Sequence, residues 1–361
     1  MSNNDVFCSA ADGLPALSEA VAAASSAHPI RIEGGGTKSF YGRPVEGTPV
    51  STREHRGITS YDPVELIVSV RAGTPIAELE DALADQGQML PFEPPHLGSA
   101  ATVGGTIATG LSGPRRPWAG SVRDFVLGLR VLDHQGREQR FGGEVMKNVA
   151  GYDLSRLMVG AQGTLGLITE VTLKVLPKAT ASASLRLEMS QQDALQRLAE
   201  WGRKPLPLSA AAWHAGSLHV RLEGGESSVK ATASMIGGDT LEPSFWSELK
   251  ELSLPFFTAS DAPLWRISLP TNSAMLTLDG VVPDTLLLDW GGNQRWLKGA
   301  VDAHELRAVV QRAGGHASCF TPGAAEPFTP LSPVVAKYHE QVKRQLDPDA
   351  IFNPRRLYPD W

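Results

Sequence analysis

The stretch Pro91–Asp124, PFEPPHLGSAATVGGTIATGLSGPRRPWAGSVRD, carries glycines at 98, 104, 105, 110, 113 and 120 and few side chains large enough to fill a core. Glycine reaches positive φ and allows close backbone approach, at a cost of up to ~1 kcal/mol relative to alanine inside regular structure. So many glycines in one unbroken segment point to a ligand that main chain must wrap, something flat and bulky. A loop-rich surface segment is the alternative. A structureless loop this long inside a compact domain would itself need a reason.

The rest of the composition narrows the partners. A chain of 361 residues is long enough for two domains. Its hydrophobic share of 42% and charged share of 20% are those of an ordinary globular protein rather than a disordered one. A net charge of −6, with no dense Lys/Arg run, argues against nucleic acid as a partner. No apolar run approaches the ~18 residues of a membrane span. The opening segment MSNNDVFCSAADG has neither a basic nor an apolar signal region, so no secretory signal is expected and the cytoplasm is the expected compartment. Cys8 and Cys319 are the only cysteines, too few for a disulfide framework, an iron–sulfur cluster or a Cys-based zinc site. No metal site is expected.

Along the chain, apolar spacing predicts a helix over 14–25, ended by His28-Pro29. Ile30–Ile32 reads as a strand running into Glu33-Gly34-Gly35-Gly36-Thr37-Lys38. Such a loop presents several backbone N–H groups in a concave nest suited to a diphosphate, although on this loop alone a plain glycine turn is the better reading. Leu66–Val70 reads as a buried strand. Thr74 is placed as an N-cap with Pro75 at the first helical position, Ile76, Leu79 and Leu83 as one apolar stripe, and Gly87 as the C′ glycine. Further strands are expected at 125–132, 137–141 and 167–175, the last alternating Leu167, Val171, Leu173 and Val175 against Glu170, Thr172 and Lys174. A short helix is expected at 153–159. A domain boundary falls at Pro177. Beyond it, strands at 185–189, 210–214, 217–222, 264–269 and 285–290 and helices at 191–201, 226–236, 244–252, 302–313 and 332–346 suggest an α+β domain. A nicotinamide fold is not expected, because Gly160–Gly166 spells G-x-x-G-x-x-G and no G-x-G-x-x-G follows a strand.

Three segments, RIEGGGTK (Arg31–Lys38), ATVGGTIATG (Ala101–Gly110) and VGAQGTLGLITEVTLKVLP (Val159–Pro177), together with FNP at 352–354, resemble the flavin-binding fold of the vanillyl-alcohol-oxidase and UDP-N-acetylmuramate-reductase type. Gly110–Gly128, Gly142–Gly160, LWRISLP (264–270), LLLDWGG (286–292) and AGGHA (313–317) are further similar to the smaller, E-type FAD-binding subunits of bacterial glycolate oxidases. The resemblance spans nearly the whole chain. It implies an α+β fold with a two-lobed FAD-binding domain over 1–177, its small lobe about 1–90 and its large lobe about 91–177. A smaller α+β, ferredoxin-like domain would follow over 178–330, and a helix and tail over 331–361 would return to the flavin. It implies a complex with a larger, D-type flavin subunit and an F-type iron–sulfur subunit that oxidises glycolate, a 2-hydroxy acid, to glyoxylate. The alternative it leaves open is a structural, assembly or electron-relay subunit whose FAD does not meet substrate. Contact with the inner face of a membrane would come only through partners.

Carried over position by position, the resemblance assigns the diphosphate nest to Gly34, Gly35, Gly36, Thr37 and Lys38. The flavin and its ribityl chain go to Pro91, Thr102, Val103, Gly104, Gly105 and Ile107, with Ser112, Gly113, Arg116 and Gly120 following along the cofactor. The adenine side goes to Gly163, Thr164, Gly166 and Ile168, and the returning tail contributes Asn353 and Arg355. Two departures stand out. Thr37 occupies the position where many relatives attach flavin through a His, and no Cys lies in the flavin segment, so FAD is expected to be non-covalent. The His-Gly-Asp-Gly-Asn-x-His metal motif of the catalytic subunits is missing.

Oxidising a 2-hydroxy acid needs a base, a cation for the carboxylate, and a flavin placed to accept hydride. Arg115 and Arg116 are candidate cations, or else surface ion-pair formers. His96 is the best of a poor set of bases, with His316 weaker. Lys147 and Asn148 could reach the flavin ring or fix their loop. Tyr152 and Asp153 read as packing and capping residues, and His214 and His219 as structural histidines. Trp246, Phe256, Phe257, Trp265 and Trp296 could contact an electron-accepting partner, but read mostly as core.

Overall fold

The computed structural model describes residues 11–143, 153–277 and 285–361. They form two compact units. One comprises the described residues up to Leu111, then Ser121–Pro177 and Pro330–Trp361; the other comprises Ser112–Gly120 and Lys178–Thr329.

In the first unit, the helix Leu14–Ala22 buries Leu17 and Val21 against Ile30, Val50, Leu167, Ile351 and Phe352. Each such side chain contributes about 1.5–3 kcal/mol of apolar burial. The strand Ile30–Glu33 pairs in parallel with Thr48–Ser51, and Ile30 also bridges to Phe352. A five-stranded antiparallel sheet runs Ile58–Asp62, Ile67–Arg71, Leu167–Lys174, Val126–Leu132, Glu138–Gly142 in spatial order. Central position explains why Leu167–Lys174 is less strictly alternating than expected. Thr172, expected to face outward, is buried and shares a 2.8 Å hydrogen bond with Ser69 on the next strand.

Two local readings are corrected. The helix Ile76–Asp85 buries Ile76, Leu79 and Leu83 as expected and is followed by Gly87 at φ +65°, but Thr74 is not its cap. The Thr74 hydroxyl donates to the Arg71 carbonyl and accepts from the Gly57 N–H, so it ties two loops together instead. The glycine stretch is not simply wrapped main chain either. Val103–Thr109 is a helix capped by Thr102, whose Oγ1 accepts from the Gly105 N–H, and it ends at Gly110 with φ +63°. Gly104 lets this helix touch the sheet, since a Cβ there would lie 2.7 Å from that of Ala72. Thr102 in front of an apolar turn is the signal that glycine content obscured.

In the second unit, one eight-stranded sheet contains the five expected strands and three unforeseen ones, Asp239–Thr240, Gln294–Lys298 and His316–Cys319. The helices Gln191–Trp201 and Glu226–Ile236 cover Trp213, Leu218 and Leu222, and Ala303–Arg312 covers Trp265, Ile267 and Leu297. Trp246, Phe256, Phe257, Trp265 and Trp296 are all buried. Residues 112–120 group with this unit, contrary to the expectation that put them on the flavin wall. Trp118 packs on the Trp213 cluster, and the Gly113 carbonyl accepts from Trp290 Nε1 at 2.9 Å.

The helix Pro333–Leu346 belongs to the first unit. Its buried Lys343 donates to Asp347 Oδ2 at 2.5 Å, to the Thr164 carbonyl at 2.7 Å and to the Phe352 carbonyl at 3.1 Å. Asp347 in turn accepts from the Ile351 and Phe352 N–H groups. This polar knot fixes the tail that follows. No helix among the described residues is long and apolar enough to cross a membrane.

Candidate functional site

The strand Ile30–Glu33 ends against Thr102, and the Gly34–Gly36 turn that follows is pressed there by its lack of side chains. A Cβ on Gly34 would lie 2.4 Å from Thr102 Oγ1, and one on Gly35 1.6 Å from the Ala100 carbonyl. Gly36, at φ +72°, faces open space. Thr37 Oγ1 and Lys38 Nζ both donate to the His96 carbonyl. The loop therefore forms one wall of a cavity of about 670 Å³ that lies wholly within the first unit. That size suits a bound organic cofactor.

Gly34, Gly35, Gly36, Thr37, Lys38, Thr102, Gly104, Gly105, Gly163, Gly166, Ile168 and Asn353 line this cavity. Asn353 joins its walls: its Oδ1 accepts from the Ile32 N–H at 2.8 Å and its Nδ2 donates to the Gln162 carbonyl at 2.7 Å. Gly163, at φ +70°, leaves the room Asn353 needs, because a Cβ there would lie 2.8 Å from Nδ2.

Other assigned positions fall elsewhere. Val103 and Ile107 are fully buried on the packed side of their helix, and Pro91 is buried outside the cavity. Thr164 is buried with its hydroxyl on the Ala161 carbonyl. Ser112, Gly113, Arg116 and Gly120 belong to the second unit and do not line the cavity. Arg355 is exposed; its neighbour Arg356 lines the cavity in its place. Sequence reasoning also missed Arg31, Arg53 and Gln162 as lining residues. Only the doubled arginine after Asn353-Pro354 hinted at Arg356.

The candidate catalytic groups are engaged elsewhere too. His96 Nε2 lies 2.9 Å from Glu80 Oε2. Arg115 is buried with its Nη1 2.5 Å from Glu223 Oε2. Burial alone would raise the Glu223 pKa, but Arg221 and Arg115 outweigh it and hold the carboxyl below its ordinary range. Arg116 lies over the Trp290 ring at 4.3 Å, and Arg266 over the same ring at 5.1 Å. His214 meets Phe256 edge-on and His219 stacks on Phe245. His316 opens an outer strand; Asp153 caps the helix Leu154–Met158. Lys147, Asn148, Tyr152 and Cys8 lie outside the described residues. Among the described residues, no group of three or more His, Cys, Asp or Glu could hold a metal.

The cavity's charge completes the picture. Among the described residues its lining carries four cations, Arg31, Lys38, Arg53 and Arg356, against the single carboxylate of Glu33, which pairs with Arg31 at 2.7 Å. A glycine-walled cavity with surplus positive charge fits a dinucleotide diphosphate. Residues 12–142 match the FAD binding domain family. The chain is 51% identical over 338 residues to glycolate oxidase subunit GlcE of Escherichia coli (strain K12), covering 94% of this chain and 95% of that one. The chain belongs to the GlcE family of glycolate oxidase subunits. This GlcE-family chain also resembles D-lactate dehydrogenase of Archaeoglobus fulgidus, 35% identical over 50% of this chain and 41% of that protein. It resembles glycolate oxidase subunit GlcD of Bacillus subtilis, 36% identical over 44% and 34%. These relatives place the GlcE-family chain among FAD-dependent oxidoreductases that work as part of a multi-subunit assembly. Its fold is shared with an alkyldihydroxyacetonephosphate synthase structure at TM-score 0.65 and 17% identity, covering 96% of this chain and 75% of that one.

Proposed function

We propose that this chain is the component of a glycolate oxidase that holds a non-covalent FAD, in a complex with a larger, D-type flavin subunit and an F-type iron–sulfur subunit. In that complex glycolate is oxidised to glyoxylate and electrons leave through the iron–sulfur partner. The cytoplasm is its proposed compartment, with any membrane contact made by partners. The observation that carries the reading is the 670 Å³ cavity with its glycine walls and four cations.

Within it, Gly34–Gly36, Lys38, Arg53 and Arg356 would face the diphosphate, and Gly163, Gly166 and Ile168 the adenine side. Thr102, Gly104 and Gly105 would lie along the flavin side. Bound FAD would supply a two-electron acceptor for hydride from the α-carbon of the acid. The chain's own residues bind and orient it: Thr37 and Lys38 hold the nest on the His96 carbonyl, and Asn353 joins the Ile32 and Gln162 walls. Thr37 carries no nucleophilic ring nitrogen, and Cys319 is buried in the second unit, which supports non-covalent binding.

A second reading, in which this FAD relays electrons or stabilises the complex without meeting substrate, is favoured by one set of contacts. His96 is engaged by Glu80, Arg115 by Glu223 and Arg116 by Trp290, so none of the three lines the cavity. An absorbance spectrum of the purified chain, taken before and after acid precipitation and then with anaerobic glycolate, tests both. Flavin released into the supernatant establishes non-covalent binding. Bleaching by glycolate in the isolated chain would assign it substrate chemistry; an unbleached flavin would assign it the relay or structural role. A chain that neither carries nor takes up FAD would defeat the proposal.

A further inference from the structure

Arg356 spends all five guanidinium N–H donors on neutral acceptors. Its Nε donates to Gln162 Oε1 at 2.8 Å, Nη1 to the Ser39 and Arg43 carbonyls at 3.1 and 2.7 Å, and Nη2 to the Tyr41 and Lys38 carbonyls at 2.7 and 3.4 Å. The return bond runs from the Arg43 N–H to the Arg356 carbonyl at 2.9 Å. Gly42, at φ +124°, makes the clamp possible, since a Cβ there would lie 2.5 Å from Gln162 Oε1 and 2.7 Å from Arg356 Nε.

No carboxylate among the described residues lies within ion-pair distance of this guanidinium. Burial pushes its pKa down to about 10, so it remains charged at neutral pH. A partly desolvated charge without a counter-charge is costly, and a clamp could be built from neutral donors. The surplus charge sits in the wall of the cavity proposed to hold FAD.

We infer that Arg356 couples docking of the C-terminal tail to binding of the dinucleotide, because the ligand's diphosphate supplies the counter-charge that the protein withholds. With every donor committed, Arg356 acts through its field and through the 38–43 loop that it shapes. It is a positioning residue, not a direct ligand of the phosphates. Cofactor and tail then stabilise each other reciprocally: FAD strengthens the tail's hold on the cavity, and a docked tail strengthens the hold on FAD. This inference rests on reading the cavity as an FAD site.

The test uses the full-length chain stripped of flavin, with FAD binding followed by flavin fluorescence at several salt concentrations. Tail amides over 347–361 are followed by hydrogen–deuterium exchange, with and without FAD. In the wild-type chain FAD should slow exchange across the tail. Gln162→Glu places a carboxylate on Arg356 Nε with little change of shape. It should raise the melting temperature of the flavin-free chain, weaken FAD about tenfold or more, and flatten the dependence of affinity on salt. Arg356→Gln should weaken FAD similarly and leave tail exchange indifferent to FAD.

Gln162→Glu binding FAD as tightly as wild type, with an unchanged salt dependence, would overturn the inference while leaving the cavity reading intact. So would tail exchange unaffected by FAD in the wild-type chain. A wild-type chain that takes up no FAD would overturn the cavity reading and, with it, the inference.

Discussion

Two cations near the C-terminal end, Lys343 buried and Arg356 half-buried, meet opposite fates. Lys343 sits on Asp347 at 2.5 Å with two carbonyls completing its shell. Arg356 has five neutral acceptors and no carboxylate among the described residues. Burial lowers both pKa values, and the Asp347 charge works against that loss for Lys343 alone. The first cation is finished within the chain, as Arg115 is by Glu223 in the second unit. The second is half of an arrangement. A half-buried charge that a protein leaves uncompensated marks a place where something charged is expected to arrive.

The contrast can be broken from its strong side. Asp347→Ala turns Lys343 into an orphan and also frees the Ile351 and Phe352 N–H groups. It should cost about 3–5 kcal/mol in urea unfolding, the range for breaking one side of a buried pair. A loss below about 1 kcal/mol would mean that Lys343 finds other acceptors, and the two cations would no longer differ.

His219 offers the opposite solution, a buried group kept neutral. Burial, then the His214 and Arg186 charges, lower its pKa to about 4. An unfolded His takes its proton near 6.5, so the unfolded chain binds more protons between those values. Stability is full above about pH 6.5 and falls as the pH drops toward 4, by about 3 kcal/mol in all. Unfolding measured across that window should show the slope, and His219→Gln should flatten it.

A smaller effect is expected where an indole faces the charge. Arg116→Ala removes one cation stacked on Trp290 and should cost about 0.5–2 kcal/mol, with FAD affinity nearly unchanged because Arg116 does not line the cavity. The smallest is Arg355→Ala. This residue is exposed beside Arg356, and its loss should shift stability by less than about 0.5 kcal/mol and FAD affinity by less than twofold. A large effect on FAD there would mean that the wrong arginine carries the coupling.

Elements governed by local periodicity were legible in the sequence. The helices Gln191–Trp201 and Glu226–Ile236 lie where apolar spacing puts them, and the glycine loop after Ile30–Glu33 does line a cavity. What escaped depends on contacts distant in sequence. Val103–Thr109 was hidden because its glycines serve close packing on Ala72 as well as the cavity wall. Residues 112–120 look continuous with the flavin wall but are claimed by Trp213 and Trp290. Arg355 and Arg356 are indistinguishable by type, and only carbonyls over 300 positions away decide which one turns inward.

The order in which the cavity walls are made has a consequence for the ribosome. Ile32 and Asn353 meet across 321 positions, and the whole of 178–329 is synthesised between them as part of the other unit. The nascent first unit therefore emerges with its glycine loop formed early and one wall of its pocket missing until late. Cofactor loading can report that synthesis has run through the tail, and a chain stalled before Asn353 would present an open, cationic cleft to quality control instead of a closed flavoprotein.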